Sequence, residues 1–131
     1  MPKYNGQLFS PPAPVAHVSL RNPDTGESLS DVMMQIDLGA DISLLPQPTI
    51  ALLGIQTNSE SGYELEAFDG TRSEAQSVQA DLIWLRKTFK GRFALVGNPA
   101  QTYGILGRDI LNHLRLLLDG PNLQWDEFRL N

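Results

Sequence analysis

The residues of this chain best placed to do chemistry lie within residues 32–46, which read V-M-M-Q-I-D-L-G-A-D-I-S-L-L-P. Apolar side chains at Val32, Met33, Met34 and Ile36 run into an acid, Asp37, that no neighbour in sequence explains. Gly39 follows two places later, then a second acid, Asp41, a hydroxyl at Ser43, and the apolar pair Leu44 and Leu45. The apolar run has the character of a strand, and the break at 37–39 that of a tight loop at its end. A carboxylate where a buried strand ends costs free energy unless it has a partner or a chemical task. Asp37 is therefore the candidate catalytic residue.

Other chemistries find less support. The chain has no cysteine, so disulfides, thiolate nucleophiles and thiolate metal sites are excluded. Its two histidines, His17 and His113, lie far apart without ligand-like spacing, and neither a metal nor another cofactor is expected. The net charge of −5 disfavours nucleic acid or an anionic membrane as partner. Arg86, Lys87, Lys90 and Arg92 do cluster, and they read as the solvated end of a hairpin. No apolar stretch approaches membrane-spanning length. The N-terminus has no apolar core of a secretory signal, so the expectation is a cytoplasmic protein unless the chain is cut from a precursor.

At 131 residues, size predicts one domain over residues 15–131, preceded by a Pro-rich, extended lead-in over 1–14 with no packing pattern. Residues 15–20 read as a strand, and N-P-D-T-G at 22–26 as the turn that brings back the strand delivering Asp37. The literal tripeptide Asp24-Thr25-Gly26 is thus turn chemistry, with no apolar strand before it. Residues 48–53, closed by Gly54, read as one or two helical turns. The runs 63–68 and 71–78 flank Asp69-Gly70, a dipeptide favoured in hairpin turns. Strands follow at 80–85 and 89–96, a short helix over 108–114, and a last strand–turn–strand over 116–130. Many short strands with close turn signals and little helix predict an all-β, barrel-like domain.

Residues 37–41, D-L-G-A-D, on the end of an apolar strand resemble the active-site loop of retropepsin-like aspartic proteases, which reads Asp-Thr/Ser-Gly-Ala. Y-G-I-L-G-R-D-I-L at 103–111 is similar to the second signature of that family, two apolar residues and a glycine before a short helix. The resemblance implies a small closed barrel with one short helix after the second motif and a flap hairpin between the motifs. It assigns Asp37 as the catalytic aspartate, with Leu38, Gly39 and Ala40 completing the loop. Asp41 and Arg108 match positions that form an ion pair behind it. Phe68, Asp69 and Gly70 are expected in the flap covering a bound peptide, and Ile105 and Leu106 beneath the loop and along the substrate subsites.

Peptide hydrolysis by carboxylates uses two of them, one ionised to take a proton from water and one protonated. The chain has one such loop, so the resemblance implies a homodimer with Asp37 from each copy across a twofold axis, acting on a peptide or protein substrate. Trp125 and Phe128 are candidate interface aromatics. Leu38 stands where the family has Thr or Ser. A leucine there gives up a cross-dimer hydrogen bond, which leaves an alternative in view: a catalytically impaired or inactive retropepsin-like dimer that binds peptides or serves as an oligomerisation module. A generic small barrel in which Asp37 only caps a turn is a third reading.

Overall fold

Alternation of apolar and polar side chains builds the sheet of this protein. The computed structural model describes residues 1–66 and 69–129, with the side chains of residues 59–61 set aside. Strand β1 (Tyr4–Asn5) is short, and β2 (Ala13–Arg21) points Ala16, Val18 and Leu20 inward and His17 outward. Strand β3 (Ser28–Ile36) answers with Val32, Met34 and Ile36, and the register sets Ala16 opposite Met34 and Val18 opposite Val32. Inward side chains therefore face inward side chains across the ladder, as a half-buried antiparallel pair requires.

Strand β4 (Leu44–Leu45) and helix α1 (Gln47–Leu52) follow, then β5 (Thr57–Glu66), β6 (Arg72–Trp84) and β7 (Lys87–Leu95). Strand β8 (Gly104–Leu106), helix α2 (Arg108–Leu111), and the pair β9 (Leu116–Asp119) and β10 (Gln124–Glu127) complete the order. The main sheet runs β1-β2-β3-β8-β4-β7-β6-β5, and a further pairing of β2 with β6 closes six of these strands into a barrel. Closure sets Leu20 opposite Leu82 and Arg21 opposite Asp81. The nearly buried Asp81 carboxylate meets Arg21 Nε at 3.0 Å, which satisfies a charge that would be costly alone. The interior is filled by Leu45, Ile50, Val78, Leu82, Phe93, Leu106 and Ile110 among others. The expected all-β closed barrel is the observed fold.

The helical turns expected over 48–53 are present as α1, where Pro46 and Pro48 preset the first turn, and one short helix follows the second motif as α2. Helix α2 is a single turn ending at Leu111, within the stretch 108–114 where one turn or more is expected. Other expectations need correction. The stretches 71–78 and 80–85 form one 13-residue strand, because Gln79 merely continues the alternation on the outer face and supplies no turn. Residues 1–14 are not an unpacked lead-in. Tyr4 pairs with Pro14, and Tyr4 N–H donates to Leu123 C=O at 2.8 Å. Trp125 N–H donates to Pro2 C=O at 2.9 Å, so the N-terminal segment lies along β10.

Trp125 is likewise not on the surface expected of an interface residue. It is 2% exposed, its indole N–H donates to Val15 C=O at 2.8 Å, and its ring meets Trp84 edge-on at 5.5 Å. Phe128 is about half exposed. Burying a large ring with its one polar atom satisfied is the favourable arrangement for tryptophan. Trp125→Ala is expected to lower stability by about 3–5 kcal/mol in urea denaturation. A loss under about 1 kcal/mol would mean that β10 does not anchor the N-terminal segment.

Candidate active site

Strands β3 and β4 are neighbours in sequence but not in the sheet, for β8 lies between them, parallel to β3 and antiparallel to β4. Residues 37–43 must therefore arch over the end of β8 to reach β4. Two backbone bonds seat this arch: Asp37 N–H to Leu106 C=O at 3.0 Å and Arg108 N–H to Ala40 C=O at 2.9 Å. Gly107 lies directly beneath. A Cβ there would come within 2.6 Å of the Ile42 carbonyl group, so only glycine fits under the arch. The two sequence motifs are thus one structural unit.

Asp37 is partly exposed at the end of β3, on the outward side of the alternation that buries Met34 and Ile36. Its Oδ1 accepts the Gly39 N–H at 2.9 Å, and its carbonyl accepts the Ala40 N–H at 3.2 Å. A Cβ on Gly39 would press to 3.1 Å from that same Oδ1, so a side chain there would require the Asp37 carboxylate to shift. Leu38 projects outward, 59% exposed. Its carbonyl accepts the Arg108 Nη1–H at 2.6 Å, while Nη2 is bonded to Asp41 Oδ1. The expected Asp41–Arg108 pair is therefore present. Both side chains are substantially exposed, so its Coulombic worth is modest, about 0–1 kcal/mol. The guanidinium fork acts mainly by geometry, tying the start of α2 to both ends of the loop tip.

The tightest bracing comes from residues that sequence reasoning did not assign. Ser43 is fully buried. Its hydroxyl donates to Asp109 Oδ1 at 2.7 Å and accepts the Gly107 N–H at 2.9 Å, while its own N–H donates to Asp109 Oδ2 at 3.0 Å. One carboxylate thereby grips Ser43 twice and fastens α2 to the arch. The available signal was a hydroxyl between two apolar residues, Ile42 and Leu44, in a segment with nothing local to bond it.

The second motif divides by strand alternation. Leu106 is fully buried in the core and Ile105 is partly exposed beside Gln35, so Ile105 alone of the two faces the side that carries Asp37. In the β5–β6 hairpin, Glu66 pairs with Arg72, and Gly70 adopts φ 87°, as the turn demands. Asp69 Oδ1 accepts the Thr71 N–H at 2.9 Å. Bonds from Thr71, the hydroxyl first and then the backbone, hold the Asp69 carboxyl below its usual acidity range. Tyr63 braces the hairpin, its hydroxyl donating to Arg92 C=O at 3.1 Å. Phe68, expected at the tip, lies outside the described residues. Among the described residues no hydrogen bond or ion pair joins Asp69 or Gly70 to the 37–41 loop, and no cluster of three potential metal ligands occurs.

A family model for the retroviral aspartyl protease matches residues 12–119. The chain belongs to that family. Comparison with curated proteins gives no match. Among solved structures, the chain is similar to EIAV protease complexed with the inhibitor HBY-793, with a TM-score of 0.58 and 22% identity over 77% of this chain and 86% of that one. The likeness is one of fold. Residues 1–11 and β10, which pair with each other here, both lie outside the matched region.

Two measurements check the geometry. Ser43→Ala leaves the Gly107 N–H and the Asp109 carboxylate short of a buried partner and is expected to cost about 1–3 kcal/mol in thermal or urea unfolding. Removing the hydroxyl donor with Thr71→Val should move the Asp69 titration midpoint up toward the ordinary carboxylate range in NMR. In the parent the charged form of Asp69 is favoured above its lowered midpoint and lost as pH falls through it. An unmoved midpoint would contradict the assigned cause.

Proposed function

We propose that this protein is an aspartic endopeptidase that works as a homodimer, with Asp37 from each copy facing the other across a twofold axis. The observation that carries this reading is Asp37 itself: a strand-end carboxylate held in a braced arch, in a chain of the retroviral aspartyl protease family. Asp41, the other acid of the loop, is bonded to Arg108. Asp37 has no cation partner among the described residues. One loop supplies one catalytic carboxylate, and the reaction uses two.

In the dimer one Asp37 is ionised and its copy is protonated, because two carboxyls about 3 Å apart cannot both ionise cheaply. The ionised group takes a proton from water as the water oxygen bonds to the scissile carbonyl carbon. The protonated group gives its proton to the carbonyl oxygen. In the collapse, the carboxylate now ionised takes a proton from a hydroxyl of the tetrahedral species, the carboxyl that holds the water's proton gives it to the amine nitrogen, and the C–N bond breaks. The arch keeps this geometry through Gly39, Arg108 and Ser43, while Ile105 lines the substrate side. The hairpin turn at Asp69 and Gly70 is the part placed to close over the peptide and exclude water.

Leu38 favours a second reading, a non-catalytic dimer that binds extended peptides or assembles this chain with others. The Leu38 backbone is held by its own subunit through Arg108, so its exposed side chain is free to pack on its twofold copy. Apolar contact then replaces the hydroxyl bond of the family. Among the described residues no helix is long and apolar enough to cross a membrane.

Peptide cleavage should follow a bell-shaped profile on the acid side of neutrality, since it needs one ionised and one protonated carboxyl. Asp37→Asn is expected to abolish turnover with unfolding unchanged, and Asp24→Asn, in its hairpin turn, to leave it intact. Leu38→Thr should tighten the dimer by about 1 kcal/mol or less in analytical ultracentrifugation, the net worth of one hydrogen bond less the lost packing. Full activity in Asp37→Asn, or a chain that stays monomeric, overturns the proposal. Absence of cleavage in both the parent and Leu38→Thr, with a dimer present, selects the second reading.

A further inference from the structure

Away from the Asp37 arch, beyond the far end of α2, the surface holds an open groove of about 670 Å³. Its walls come from three separate segments: the β6–β7 turn, the residues after α2, and the residues ending β10. Four of the chain's ten lysines and arginines line it, namely Arg86, Lys87, Arg115 and Arg129. The single acid among its lining residues, Glu127, already binds two of them, at 2.7 Å to Arg86 Nη2 and 3.1 Å to Arg129 Nε. The groove therefore carries an excess of three positive charges on a protein whose net charge is −5. At physiological salt, fields fade over about 8 Å, so a ligand in the groove responds to this local excess rather than to the net charge.

This is a built surface rather than a loose hairpin end. The turn residues Leu85 and Arg86 both adopt positive φ, 51° and 65°, a conformation glycine or asparagine usually supplies. The turn packs Leu85 on the core and sends Arg86 across to Glu127. Lys87 Nζ donates to His113 C=O at 3.2 Å, and Phe128 N–H donates to Arg115 C=O at 2.8 Å, which fixes two walls to each other. Glu127 is itself mostly buried and holds two guanidinium groups in place while leaving most of each exposed. Arg115 has no ion pair among the described residues, and the half-exposed Phe128 ring adds an apolar face between the charges.

We infer that this groove is a docking site for an acidic segment of polypeptide, engaged separately from the Asp37 loop. Cations spread over three segments suit carboxylates spaced along an extended chain, not a single small anion. Arginine forks accept carboxylates with two parallel bonds, and the apolar Leu114 and Phe128 surfaces accept the side chains between them. A nucleic-acid backbone is the less fitting occupant, since the cationic surface is short and offers few phosphate contacts.

The test is fluorescence anisotropy on the full chain with a labelled short peptide alternating glutamate and leucine. Its glutamine counterpart and a single-stranded RNA of similar length serve as comparisons. The glutamate peptide should bind, weaken as salt rises, and outcompete both others. The double variant Lys87→Glu with Arg115→Glu, both exposed, should bind it roughly tenfold more weakly, the effect of about 1.4 kcal/mol shared between two reversed charges. Tryptophan fluorescence verifies folding, and Lys87→Gln with Arg115→Gln replaces the pair if the first does not fold. Equal binding of the glutamine peptide, unchanged affinity in the folded variants, or tighter binding of the RNA overturns the proposal. The readout is binding, so it stands or falls independently of hydrolysis at Asp37.

Discussion

The placement of β8 between β3 and β4 is the constraint on which the rest of the site depends. Two strands joined by seven residues are held apart by a third strand that arrives sixty residues later. The joining loop has to bridge that width, and it can do so only where the chain beneath has no side chain. Gly107 provides this clearance, and Gly104, whose Cβ would meet Leu44 C=O at 2.5 Å, provides it again between β8 and β4. Backbone atoms of both motifs then approach closely enough to bond directly, and the strand-end acid is left at the crest of the arch with its carboxylate outward.

Rigidity at this crest comes from a layered set of contacts with different physical character. The buried Ser43 and Gly107 meet the carboxylate of the more exposed Asp109 in a polar knot in which the Ser43 hydroxyl and N–H and the Gly107 N–H are answered, the condition under which such a network stabilises rather than strains. Arg108 works nearer to solvent, where charge attraction is weak but the planar fork still fixes direction. Leu38 is held by its backbone alone, so its side chain is the part of the loop most open to a second copy of the chain.

The termini add a feature of their own. The matched family region ends at the close of β9, and the chain then turns back as β10 to pair with both β9 and its own N-terminal residues. Trp125 anchors this addition in the core against Trp84. The same segment, continuing past Glu127, supplies one wall of the basic groove. Residues beyond the family's extent thus join two termini and shape a surface the barrel alone would not have.

Much of this was legible in the chain itself, for definite reasons. The alternation in 15–20 and 29–36 determines strands because a two-residue period cannot be satisfied by a helix, and the turn at 22–26 follows from proline and glycine. The placement of Asp37 at a strand end and of Asp24 in a turn also follows locally, from the apolar run before one and the turn chemistry around the other. The Asp41–Arg108 pair came from resemblance between motifs, not from local chemistry. Tertiary structure decided the remainder. Whether Trp125 faced a partner or the core depended on Trp84 and Val15, which lie far away in sequence. The role of Ser43 depended on Asp109, and the union of Arg86 with Arg115 and Arg129 depended on three segments meeting. Periodicity reports only which face of an element is apolar; what that face or a polar atom meets is set by where the chain returns.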